Sequence, residues 1–236
     1  MSTREFYEAG YALADPAEAE RMGRWRAIGA RSKAAHVRTL LQRAGLTPAT
    51  IAEIGCGDGS LLAELSRLAA VDGFELSANA AAHARGRGVA RRVETFDGEH
   101  VPARGDEYDV AVLSHVLEHV PDPLPLLSET ARIAPHVIVE VPLEDNRSAR
   151  RPAARRLSDA AGHLHALNRS DVRRLVKEAG MTVRDELSDP LPYEMVSFFA
   201  GRTKGAVKHA VRVAAHRAGV AERLFTVHYA VLATRG

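Results

Sequence analysis

The residues best placed to do chemistry stand in one short run, Ile51-Ala-Glu-Ile-Gly-Cys-Gly-Asp-Gly-Ser60. An apolar strand leads straight into Gly55, Gly57 and Gly59, and an amphipathic helix follows. Glycines there let the backbone turn sharply and let a ligand approach the main chain without meeting a Cβ. Many nucleotide binders share such a turn, but the spacing here is narrower than the turn itself. A dinucleotide fingerprint reads G-x-G-x-x-G and leaves the helix N-terminus open to a pyrophosphate. In this chain the third glycine comes one residue early, and Ser60 stands where that motif would place it. Glu53, two residues before the first glycine, is read as facing the ligand side. A carboxylate beside the turn repels pyrophosphate and favours a positively charged ligand.

The turn needs elements to hold it, and the flanking pattern supplies them. Strands are expected at Thr50–Ile54, Val71–Glu75, Arg92–Phe96, Tyr108–Ser114, His136–Val141, Met181–Glu186 and Thr226–Ala233. Helices fall between them, marked by apolar stripes such as Leu61, Leu65, Leu68 and Ala69, and by start signals at Ser77, Asp122-Pro123 and Ser170. A helix from about Arg31 to Ala44 precedes the first strand and stops at Gly45. Residues 1–30 read as a helical lead-in or lid holding Tyr7, Tyr11 and Trp25, and residues 31–236 as the main domain. Alternation of this kind argues for an α/β fold, a largely parallel sheet covered on both faces. Segments 143–168 and 191–223 break the alternation and are expected to cover a binding site. In the second of them, Val207, Ala210, Val211 and Ala214 mark the expected buried face of a helix, with Lys204, Lys208, Arg212 and His216 on another.

The turn resembles the first motif of the class I S-adenosylmethionine-dependent methyltransferases, D/E-x-G-x-G-x-G. Glu53, Gly55, Gly57 and Gly59 fit it without a gap. Three further elements follow in the family's order. Gly73-Phe-Glu-Leu-Ser77 ends the second strand, Phe96-Asp97-Gly98 follows the third, and Leu113-Ser-His-Val-Leu-Glu-His-Val-Pro-Asp-Pro123 ends the fourth. The resemblance covers roughly residues 30–186. It implies a Rossmann-like, seven-stranded and mostly parallel sheet, the last strand antiparallel. It implies S-adenosyl-L-methionine as cofactor, with Glu53, Gly55, Gly57, Glu75, Asp97 and Ser114 around it. Glu75 would accept both ribose hydroxyls, and Asp97 the adenine amine. Tyr11 is a further candidate, for the methionine carboxylate or as part of a lid.

Methyl transfer from a sulfonium is an in-line displacement, so such an enzyme mainly aligns donor and acceptor and excludes water. A general base is needed only when the acceptor must lose a proton. His163, within Gly162-His-Leu-His-Ala-Leu-Asn168, and His115, directly after the fourth strand, are the candidate bases. Each has a plain alternative as a structural hydrogen-bonding residue. Glu118 and His119 are read as bracing the following helix, and Cys56 as a backbone element of the turn.

Composition narrows the classes. Hydrophobic residues make up 46% and charged residues 26% of 236, ordinary for a globular domain. The single cysteine excludes an internal disulfide or a zinc-thiolate cluster, and no metal site is expected from the spacing of ligands along the chain. No apolar run reaches the ~20 residues of a membrane span, and the N-terminus lacks a signal-peptide core, so a cytoplasmic protein without a membrane partner is expected. A net charge of +2 does not point to nucleic acid. The run Ser114-His115-Val116-Leu117 also lacks the D/N-P-P-Y/F/W pattern of enzymes that methylate base amines. The expected partner is a small-molecule acceptor, anionic if the arginines at 147, 150, 151, 155 and 156 rim the site. It would be methylated on oxygen, nitrogen or carbon. Arginine- and alanine-rich composition suits a bacterial biosynthetic role in specialised metabolism. The rival readings are an RNA methyltransferase, an NAD-dependent oxidoreductase and a non-catalytic S-adenosylmethionine-binding protein.

Overall fold

The computed structural model describes Glu5, Glu8 and residues 15–236. Tyr7 and Tyr11, singled out above, lie outside the described residues. Helix α1, Pro16–Ala44, opens with Asp15 accepting from the Ala17 amide and closes at Gly45 in the left-handed region. The strands are β1 (Thr50–Ile54), β2 (Ala70–Glu75), β3 (Arg92–Thr95), β4 (Val110–Ser114), β5 (His136–Leu143), β6 (Met181–Pro190) and β7 (Val227–Arg235). Between them run α2 (Ser60–Leu65), α3 (Ala78–Gly86), α4 (Pro123–Ile133), α5 (Pro152–Ala160) and α6 (Arg169–Glu178). The second insertion folds as α7 (Tyr193–Ala200), α8 (Arg202–Arg217) and α9 (Ala221–Leu224).

The strands form one sheet in the order β3-β2-β1-β4-β5-β7-β6. All are parallel except β7, which runs antiparallel to β5 and β6. This is the Rossmann-like arrangement expected. Side chains alternate between two apolar layers. Ile51, Val110, Val112, Ile138, Ala230 and Leu232 face α1, α2 and α3, and Ala52, Ile54, Leu113, Val139 and Val231 face α4 and α6. By that parity Glu53, Ser114, Glu140 and His228 all point into the layer under α1, at one end of the sheet. Placing four polar residues on adjacent strands beneath a helix is unusual, because that layer is otherwise dry.

Two expectations about helices are corrected. Residue 30 is no break, since α1 runs through it as a single helix of 29 residues. The buried face of α8 is not the valine face, because Val207 is 63% and Val211 50% exposed. That helix packs through Gly205, where a Cβ would come within 2.6 Å of Ser197 on α7. Arg212 turns inward, donates to the Thr226 carbonyl and stacks on Phe225. Trp25 packs on Phe198 and Phe199 of α7, which docks α1 onto the second insertion. Among the described residues no helix is long and apolar enough to cross a membrane.

Candidate active site

Gly55, Gly57 and Gly59 all adopt positive φ, of 74°, 54° and 75°. The chain can therefore reverse between β1 and α2 within a few residues. The amides of Gly55 and Cys56 donate to the Phe74 carbonyl, at 2.7 and 3.1 Å, and tie the turn to β2. Glu75, at the end of β2, completes the tie. Its carboxylate accepts from the Gly57 amide at 2.7 Å and from the Ser77 amide at 2.9 Å. Burial raises its pKa, opposed by these amides, and the neighbouring Glu8 raises it further.

Glu8 is a residue that sequence reasoning passed over. Its carboxylate accepts from the Ala78 and Asn79 amides, at 2.6 and 3.0 Å, at the start of α3. The Ser77 hydroxyl donates to it at 3.0 Å. A second acid thus stands beside Glu75 and lies on the positive end of a helix. Nothing in its local sequence marked it, because the contact spans some 70 residues.

Glu53, expected to face the ligand side, is 3% exposed, with Oε2 lacking a hydrogen-bond partner. Desolvation holds its pKa well above the ordinary range, relieved in part by Lys33 and by the Leu62 amide. Asp97 is exposed and accepts from the Glu99 and His100 amides and from the His100 ring, which pull its pKa down to about 2. Ser114 is buried with an unpartnered Oγ. Lys33, on α1, acts electrostatically on Glu53, His115, Glu118, His119 and His228.

The two candidate bases have different surroundings. His115 has φ 58°, rare for a residue with a side chain. Its ring lies 3.5 Å from Glu118 and 3.7 Å from Glu140, yet desolvation and the charge of Lys33 keep its pKa well below the ordinary value. His163 Nδ1 lies 2.7 Å from Glu144 Oε2, and Ser158 donates to the same oxygen at 2.9 Å. Burial would lower the His163 pKa, but the Glu144 bond and charge raise it. A histidine with one nitrogen fixed on a carboxylate keeps the other free to take a proton.

Around them, the amides of Leu164 and His165 donate to the Glu118 carbonyl, joining the first insertion to the 3₁₀ turn Leu117–His119. His165 is thereby structural, with its ring on the Val120 carbonyl at 2.8 Å. Glu118 is wholly buried, and desolvation pushes its pKa up to about 7. Among the described residues, two groups of side chains bring ligand-type atoms within 4.8 Å of one another: His36, Glu140 and His228, and Glu118, His119 and His163. In the second group the Nδ1 atoms already have partners, Glu144 for His163 and the Gly162 carbonyl for His119.

Comparison with known proteins adds to this geometry. A family model described as a methyltransferase domain matches residues 24–186. The ubiquinone biosynthesis O-methyltransferase of Serratia proteamaculans is 35% identical over 102 residues, 40% of this chain and 42% of that protein. The chain thus spans about two fifths of the length of such curated relatives. Among solved structures, an S-adenosylmethionine-dependent methyltransferase from Thermotoga maritima superposes with TM-score 0.64 at 17% identity, covering 100% of both chains. Geranyl diphosphate C-methyltransferase from Streptomyces coelicolor superposes with TM-score 0.61 at 17% identity, over 86% of this chain and 77% of that one. At such identities the structural likeness speaks to fold alone.

Proposed function

Since the chain belongs to the class I S-adenosylmethionine-dependent methyltransferases, we propose that it methylates an oxygen of a small-molecule acceptor. The observation that carries the oxygen reading is the His163–Glu144 pair at 2.7 Å. A hydroxyl must shed its proton to become a good nucleophile, and an oriented imidazole is the group that takes it. The relatives named as O-methyltransferases support the same choice.

The chain fits the cofactor on its own terms. The turn admits no larger residue at its first glycine, since a Cβ on Gly55 would come within 2.6 Å of the Val116 side chain. Ser114 Oγ and Glu53 Oε2 are buried and lack partners, as groups awaiting a polar ligand do. In this reading Gly55 and Gly57 let the cofactor approach the backbone, and Glu75 takes the ribose hydroxyls. Asp97 takes the adenine amine, while Ser114 and Glu53 serve the amino-acid end. When bound, the cofactor supplies a methyl group already activated on sulfur. The chain's part is to orient the acceptor, exclude water and hold the proton on His163. Exposed Arg151, Arg155 and Arg156 on α5, the helix tied to Glu144 through Ser158, suit an acceptor bearing negative charge.

Three measurements test this. S-Adenosylhomocysteine should raise the melting temperature while NAD leaves it unchanged. Glu75→Ala should weaken S-adenosylhomocysteine binding by about 1–3 kcal/mol, roughly 5- to 150-fold, through loss of charge-assisted hydrogen bonds. Calorimetry returning the wild-type affinity for the folded variant would remove Glu75 from the ribose site. Mass spectrometry of a panel of phenols, amines and carboxylates then decides the acceptor atom. Transfer to amines alone would sink the oxygen reading.

A further inference from the structure

Four side chains from four separate elements meet in the layer beneath α1. His36 comes from α1, His115 from the end of β4, Glu140 from β5 and His228 from β7. His36 is 5%, Glu140 1% and His228 2% exposed. His36 Nδ1 lies 3.4 Å from Glu140 Oε2, and His228 Nδ1 and His115 Nε2 lie 3.6 and 3.7 Å from Glu140 Oε1. None of these contacts is a hydrogen bond. His36 Nδ1, His228 Nδ1, His115 Nε2 and both Glu140 oxygens are buried without a hydrogen-bond partner. Leaving that many polar atoms unpaired in one place is costly, so a stable fold needs something to satisfy them.

The spacing says what. Two ligands bound at about 2.0–2.1 Å to one tetrahedral ion stand roughly 3.3–3.4 Å apart. The His36 and His228 nitrogens stand 3.4 and 3.6 Å from the Glu140 carboxylate, close to that edge length. The outer nitrogen of His36 is also provided for, since Nε2 is 3.3 Å from Asp189 on β6. A carboxylate behind a histidine fixes its tautomer and turns the other nitrogen towards a metal.

We propose that His36, Glu140 and His228 bind a divalent first-row transition cation, such as zinc or cobalt(II), in a buried site that pins α1 to the sheet. Imidazole-rich coordination with one carboxylate selects such ions over magnesium. Sequence spacing could not announce it, because the ligands span residues 36 to 228. The rival occupant is a proton, with His36 as an imidazolium held between Glu140 and Asp189.

The test uses the full chain, stripped with chelator and titrated with cobalt(II). One ion per chain should bind, with the ligand-field bands of a four-coordinate site, and the melting temperature should rise by on the order of 5–10 °C. Glu140→Gln should weaken uptake at least tenfold, whereas His119→Gln, which disrupts the other His/Glu group, should keep the bands. If Glu140→Gln does not fold, His228→Gln takes its place. Absence of cobalt uptake by the wild-type chain would overturn the site in favour of the imidazolium. Loss of the bands in His119→Gln with retention in Glu140→Gln would overturn it in favour of the other group. Magnesium binding as tightly as cobalt would overturn the choice of ion.

Discussion

Gly59→Ala should lower stability by about 2–5 kcal/mol, a fall in melting temperature on the order of 5–15 °C for a chain of this size. Two costs add. Gly59 has φ +75°, and a residue with a Cβ held there costs roughly 1–2 kcal/mol. Its Cβ would also lie 2.9 Å from the Ala84 Cα and 3.0 Å from the Ala84 Cβ on α3. A backbone atom cannot swing aside as a side-chain tip can, so α3 must move, at a further ~1–3 kcal/mol. The third glycine of the motif is therefore a packing residue, which lets the start of α2 abut α3. Gly88→Ala is the matched control. Gly88 has φ +64° with no atom within 4 Å of the added Cβ, so only the backbone cost applies. Equal shifts for the two variants in denaturant unfolding would show that the contact with α3 contributes nothing.

That contrast illustrates which parts of the fold could be read from the chain. The sheet was legible because each strand is a short apolar run next to a helix of different period, and the turn because its glycines are contiguous in sequence. Boundaries were less so. The lead-in and the helix from Arg31 were read apart, whereas Pro16–Ala44 is one helix, docked on α7 through Trp25. The buried face of α8 was read from its valines, yet that helix packs by close approach at Gly205, and apolar periodicity carries no information about such a contact. Strand β6 runs to Pro190, beyond its apolar stretch, because polar Glu186 and Ser188 find Arg169, Arg173 and Glu222 alongside it.

The candidate site divides along the same line. Glu75 and the Gly57 amide it accepts from lie 18 residues apart and were visible as a motif. Glu8, Lys33, His36 and Glu140 were not, because each acquires its neighbours only when α1, or the segment before it, lies across the sheet. One signal was available. Glu140 is a lone charge within His136-Val-Ile-Val-Glu-Val141, and His228 a lone polar residue at the start of β7. A carboxylate in a strand covered on both faces needs a partner, and a search for buried-strand acids would have singled it out.

The acceptor side yields the second large effect. Replacing His163 by alanine should lower kcat by roughly 10²- to 10⁴-fold, the range for loss of a general base, while S-adenosylhomocysteine affinity stays within about twofold of wild type. The sign of the pH dependence follows from the Glu144 pair. A base must be neutral to accept a proton, and His163 has its pKa raised above 6.5 by Glu144 against the opposing effect of burial. The rate should therefore rise with pH through a value above 6.5 and level off beyond it. Glu144→Gln removes the negative charge that stabilises the imidazolium, so the acid limb should move to lower pH even as kcat falls. A merely structural histidine would not move that limb. Turnover of His163→Ala at the wild-type rate, or a limb unmoved in Glu144→Gln, would make the pair a brace between the first insertion and the end of β5. The acceptor's proton would then leave to water.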